Sequence, residues 1–256
     1  MQIADLNQPV HAVITGASRG IGLALTRQLL ADAGVARVNA VSRASSQSPA
    51  LQELGSEHGA RLHLVDADLT AESDVAAMAE HIAPVSPQLH LLLNCAGVLH
   101  GPALQPEKSL AQLSLGNLQQ AFALNAFAPI LLVQRLLPMF KHGCPAVIAS
   151  LSARVGSIGD NRLGGWYAYR ASKAAQNQLF RTLSVEMRRI NPRAACVLLH
   201  PGTVDTSLSA PFNARVPTDH LLTPTQSASH LLGIVAQLRA ADSGRFIAWD
   251  GSDIAW

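Results

Sequence analysis

Seven short apolar runs alternate with longer stretches whose apolar residues recur at helical spacing, and no other feature constrains the chain as strongly. Residues 10–15 are rich in β-branched side chains and end at Gly16, and residues 21–33 carry a helical pattern that stops at Gly34, the expected C-cap. Further strands are expected over 35–42, 61–65, 89–94, 145–150, 194–200 and 246–249. Helices are expected over 50–58, 71–82, 110–132, 167–190 and 225–239, with another ending near residue 140. Residues 89–94 are strongly apolar, as in a strand buried on both faces. The order predicts one α/β domain over 1–256: a doubly wound parallel sheet of about seven strands with helices on both faces. Such sheets bind ligands beyond the carboxyl ends of their strands, so chemistry is sought in the loops at those ends. The segment 203–223 contains Pro211 and Pro217 and has weak periodicity, and a loop of that length is expected to act as a substrate lid.

Composition narrows the function. Of 256 residues 48% are hydrophobic, enough for a sizeable core, and only 14% are charged, which fits either a surface partly covered by another subunit or Ala-rich helices alone. A net charge of +2 without a Lys/Arg cluster gives no basis for nucleic-acid binding. Cys95, Cys144 and Cys196 are far apart and form no CxxC pair, so neither a zinc knuckle nor a disulfide framework is expected. His100, His142, His200 and His220 lack metal-like spacing, so no metal is expected. The first nine residues show no signal-peptide pattern, and no run of about 18 uninterrupted apolar residues predicts a membrane span. A cytoplasmic protein is expected.

After the first strand comes Thr15-Gly16-Ala17-Ser18-Arg19-Gly20-Ile21-Gly22. Gly16 permits a tight turn, Gly20 a close approach of backbone to a pyrophosphate, and Gly22 close packing of the helix, whose N-terminus offers amide donors to an anion. Gly16 to Gly20 also fits the GxSxG of a hydrolase nucleophile elbow, but there several strands precede the serine, and here one precedes Ser18.

This turn, together with five motifs further along the chain, resembles the short-chain dehydrogenase/reductase family over nearly the whole length, and more finely its C-factor/sniffer branch. Asp68 in Asp68-Leu69-Thr70 matches the family's adenine-contacting acid. Asn94-Cys95-Ala96-Gly97 matches its Asn-Asn-Ala-Gly, with Cys95 in place of the second Asn. Asn125 matches the Asn of the fourth helix, and Tyr169 and Lys173 its Tyr-x-x-x-Lys. Pro201, Gly202, Val204 and Thr206 match its segment beside nicotinamide. The resemblance implies a Rossmann-type fold and a carbonyl reductase, acting on a small carbonyl or alcohol substrate. It also implies a homodimer or homotetramer built on the helices at 110–132 and 167–190. A dinucleotide-binding regulatory protein with incidental turnover is the alternative.

The second strand ends Asn39-Ala40-Val41-Ser42-Arg43, with no acid to accept from a ribose 2′-hydroxyl. Arg43 and Arg19 instead suit a 2′-phosphate, so NADP(H) is the expected cofactor. By the resemblance, Tyr169 is the general acid/base, Lys173 lowers its pKa and holds the ribose, and Asn125 anchors a proton-relay water. The family's carbonyl-polarising serine aligns with Ala153, so Ser152, one residue earlier, is expected in that role, with Ser150 and Ser157 as fallbacks.

Overall fold

A computed structural model describes residues 3–215, 217 and 220–256. In chain order the elements are β1 (Val10–Thr15), α1 (Gly20–Ala31), β2 (Val35–Ser42), α2 (Pro49–His58), β3 (Leu62–Asp66), α3 (Glu72–Ile82) and β4 (Leu91–Asn94). Next come α4 (Leu115–Phe122), α5 (Ala128–Leu136), β5 (Ala146–Leu151), α6 (Tyr167–Ile190) and β6 (Ala194–His200). The chain ends with β7 (Thr203–Val204), β8 (Leu221–Leu222), α7 (Pro224–Gln237) and β9 (Phe246–Ala248).

Seven of the strands form one parallel sheet in the order β3-β2-β1-β4-β5-β6-β9. The order reverses between β1 and β4, which opens a crevice at their carboxyl ends. Thr15 pairs with Asn94 and Asn94 with Ser150, so three polar side chains sit abreast at that edge.

Alternation along the strands feeds two cores. Ile14, Leu91 and Leu93 meet Leu25, Leu29, Leu231 and Val235 on one face. Val13, Leu92 and Ile148 meet Leu132, Leu136, Phe180 and Met187 on the other. Each such aliphatic side chain contributes roughly 1.5–3 kcal/mol by leaving water, and both faces must be covered, which explains why 91–94 carries no polar residue before Asn94.

Two local expectations are corrected. The helix expected over 110–132 is broken: a 3-10 turn (Leu110–Gln112), α4, a wide π turn (Ala123–Phe127) and α5 replace it. Pro129 has no amide to offer the carbonyl of residue 125, four residues back, and the wide turn falls there. α1 ends at Asp32 rather than at Gly34, and the Asp32 carboxylate accepts from the Gly34 amide at 2.8 Å. The helical run Leu115–Phe140 has the length and apolarity of a membrane span, with a mean hydropathy of 1.4. In this fold it gives Ala126, Leu132, Val133 and Leu136 to the interior.

In the expected lid, β7 pairs with β8 and a 3-10 segment covers Ala210–Arg215, while residues 216, 218 and 219 lie outside the described residues. The three cysteines are unpaired.

Candidate active site

The glycine turn is built by close backbone contacts. Gly16 is left-handed (φ 64°), and a side chain there would stand 3.0 Å from the Ala96 amide, so the loops after β1 and β4 touch. A side chain on Gly22 would collide with the Gly16 carbonyl oxygen, so only glycine lets α1 begin directly over the turn. Gly20 faces Thr206, whose methyl would lie 3.3 Å from a Cβ. The loop after β6 therefore closes over the start of α1. Ser18, Arg19 and Ile21 complete the turn, and α1 presents its free amides and positive pole to the crevice.

Beyond β2 and β3 the charge is arranged for an anion. Arg19 and Arg43 are exposed, and among the described residues neither forms an ion pair with a carboxylate. The Asp68 carboxyl is held below its ordinary value, first by the hydroxyl and amide of Thr70 and further by the nearby Arg43. The loop that carries Arg43 is pinned at Ser46, whose amide and hydroxyl donate to Asp66. These residues fit a dinucleotide with an extra phosphate on its adenosine ribose: glycines where the backbone must come close, a helix N-terminus, and two uncommitted guanidiniums.

The reacting groups lie on α6 and the turn before α5. Tyr169 and Lys173 are both buried, one helical turn apart, with Lys173 Nζ 5.9 Å from the centre of the Tyr169 ring. Nζ also sits beside the loop after β4, 3.7 Å from where a Cβ of Gly97 would be. Asn125, in the wide turn, accepts from the Val98 amide at 2.8 Å and donates to the Val98 carbonyl and to Ser172 Oγ. The turn thus aims one side chain at the loop after β4 and at α6 together. Trp166, which opens α6, is left-handed (φ 51°), comes after left-handed Gly164 and Gly165, and crosses the Tyr169 ring edge-on at 6.2 Å.

The profile of the short chain dehydrogenase family matches residues 10–217. The chain belongs to that family. NADPH-bound carbonyl reductase from chicken fatty liver superposes with a TM-score of 0.85 at 31% identity, over 97% of this chain and all of that one. Carbonyl reductase Sniffer of D. melanogaster gives 0.85 at 26% identity, over 98% of this chain and 100% of that one. C-signal of Myxococcus xanthus is 32% identical over 149 residues, 58% of this chain and 84% of that protein.

Two readings of this short-chain dehydrogenase change against its geometry. At the Tyr169 phenol burial outweighs Lys173 in this arrangement. Burial pushes the phenol above its usual value, and burial likewise draws Lys173 down to about 7. Ser152 donates its one hydroxyl proton to Asn177 Oδ1 at 2.6 Å, and polarising a substrate carbonyl requires that proton to leave Asn177. The fallbacks differ: Ser150 accepts from Asn94 and Gln176, and Ser157 from the Asp160 amide, and these bonds leave each hydroxyl proton unused.

Sequence reading missed three positions in this short-chain dehydrogenase. Glu107 is buried, and its carboxylate accepts from the Ala168 amide at 3.2 Å, capping the helix that carries Tyr169 from outside. Gln176 and Asn177 are buried on α6. The one signal for them was spacing: Tyr169, Lys173, Gln176 and Phe180 recur every three or four residues, so the buried stripe of α6 is polar in its first half.

Proposed function

We propose that this short-chain dehydrogenase is an NADP(H)-dependent carbonyl reductase, and one observation carries the reading. A buried phenol and a buried amine stand one helical turn apart, with the amine against the loop after β4. Bound there, NADPH supplies a hydride to a carbonyl carbon. The phenol, kept protonated by burial, gives its proton to the carbonyl oxygen. Lys173 holds the ribose hydroxyls, and Asn125 anchors the water that returns a proton to Lys173. The turn at Gly16–Gly22 and the α1 N-terminus take the pyrophosphate, and Asp68 takes the adenine. Asn94, Ala96, Gly97, Pro201, Gly202, Val204 and Thr206 line the rest, and Arg19 and Arg43 take the 2′-phosphate. Ser152 contributes only by exchanging Asn177 for the substrate oxygen.

The substrate side is apolar and aromatic. Trp166 meets Phe212 at 4.8 Å, and Phe212 meets His100 at 5.9 Å, above Tyr169. This roof suits an aldehyde or ketone with a flat hydrophobic body. The three free thiols suit a reducing cytoplasm. The test is oxidation of NADPH and of NADH against a panel of aldehydes and ketones, by wild type and Arg43→Ala. Turnover with NADPH, and a loss in Arg43→Ala confined to NADPH, are expected. Tight NADPH binding without turnover on any compound favours a regulatory dinucleotide sensor, and equal loss for both cofactors removes the NADP(H) preference.

A further inference from the structure

Lys173 Nζ is buried and donates to two groups of its own chain: the Leu151 carbonyl at 2.8 Å and Gln176 Oε1 at 3.0 Å. The first is backbone at the end of β5; the second is a side chain one turn further along α6. The orientation of the Gln176 amide is not free. Lys173 has no lone pair to offer when charged, so the amide oxygen must face it and the amide nitrogen must face away. That nitrogen donates to Ser150 Oγ at 2.5 Å and to the Leu151 carbonyl at 3.3 Å. Ser150 Oγ also accepts from Asn94 Nδ2 at 2.7 Å, and Asn94 Oδ1 accepts from Thr15 Oγ1 at 2.6 Å. A polar chain therefore crosses from β1 through β4 and β5 to the ammonium, and Thr15, Asn94, Ser150, Gln176 and Lys173 are all buried.

We propose that Gln176 is a positioning residue that sets both the direction and the protonation of Lys173. A neutral amide oxygen supports an ammonium by charge–dipole attraction without cancelling its charge. A carboxylate at that place would lock the lysine charged, and an apolar side chain would leave it one acceptor short in a dry site. With Gln176 the amine is held on the β5 side, and Tyr169 and Cys95 are the other titratable groups that face it. This inference rests on the reading that Lys173 serves Tyr169 and the dinucleotide.

The test tracks Lys173 itself through its side-chain NMR titration and through the pH profile of NADPH-dependent carbonyl reduction, in wild type, Gln176→Glu and Gln176→Leu. Gln176→Glu keeps the shape, and the Ser150 hydroxyl can turn to donate to it. The expected shift of the Lys173 titration, and of the basic limb of kcat/KM, is upward by at least about one pH unit in Gln176→Glu. In Gln176→Leu both move downward. A Lys173 titration that stays put in Gln176→Glu overturns the inference, even if activity falls evenly at every pH. If Gln176→Leu does not fold, Gln176→Glu decides alone. The NMR arm reports on Lys173 with or without turnover, so wild type inactive on every carbonyl, with the titration moved as expected, sinks the reductase reading and leaves this inference standing.

Discussion

At the scale of single residues, the site is governed by burial as much as by partners. Tyr169 and Lys173 were legible in the sequence because their spacing of four is a property of one helix. Their partners were not: Ser150 lies 26 positions before Gln176, and Asn177 lies 25 after Ser152, so these bonds exist only once β5 packs on α6. Ser152→Ala removes a buried hydroxyl that supports Asn177. We expect kcat to fall less than tenfold and stability by about 1 kcal/mol, read as a thermal midpoint roughly 2–4 °C lower. A hundredfold loss of kcat with unchanged stability would return Ser152 to the carbonyl.

At the scale of elements, the contacts between turns are the sensitive points. Gly22→Ala forces α1 away from Gly16 and is expected to cost about 1–3 kcal/mol and to weaken NADPH binding in a fluorescence titration; wild-type affinity would show that the turn adapts. At the amino ends of β1 and β4 the rings of His11, His90 and His142 cluster, and His63 on β3 reaches them only through Asn39 and Ser86. Burial holds His11 and His63 below the ordinary histidine value and brings His90 to about 4. The unfolded chain takes up these protons near pH 6.5, so stability present above that pH is lost as pH falls towards 4. The thermal midpoint should drop over that window in wild type and drop less in His90→Gln; parallel curves would clear His90. The parallel sheet and the alternation of strands with helices were legible, whereas the break at 123–127 was missed because the apolar periodicity runs on through Pro129, the one residue that marks it.

At the scale of the whole molecule, Leu115, Phe127 and Val185 are exposed on α4, beside α5 and on α6. We expect a homodimer or homotetramer built on these helices, with Phe127→Asp and Val185→Asp moving it towards the monomer by light scattering after size exclusion; a wild-type monomer at micromolar concentration would contradict this. The parallel sheet and the glycine turn were readable because each rests on a local rule of spacing, while the switch point and the polar chain beneath Lys173 depend on how strands order and register. The proposed reduction stands on the Tyr169 hydroxyl. The direct measurement is a single turnover of enzyme-bound NADPH with a carbonyl substrate, in wild type and Tyr169→Phe, with NADPH affinity measured alongside. Unchanged affinity and hydride transfer slowed by roughly 10²–10⁴ are predicted; transfer at the wild-type rate in Tyr169→Phe would contradict the account.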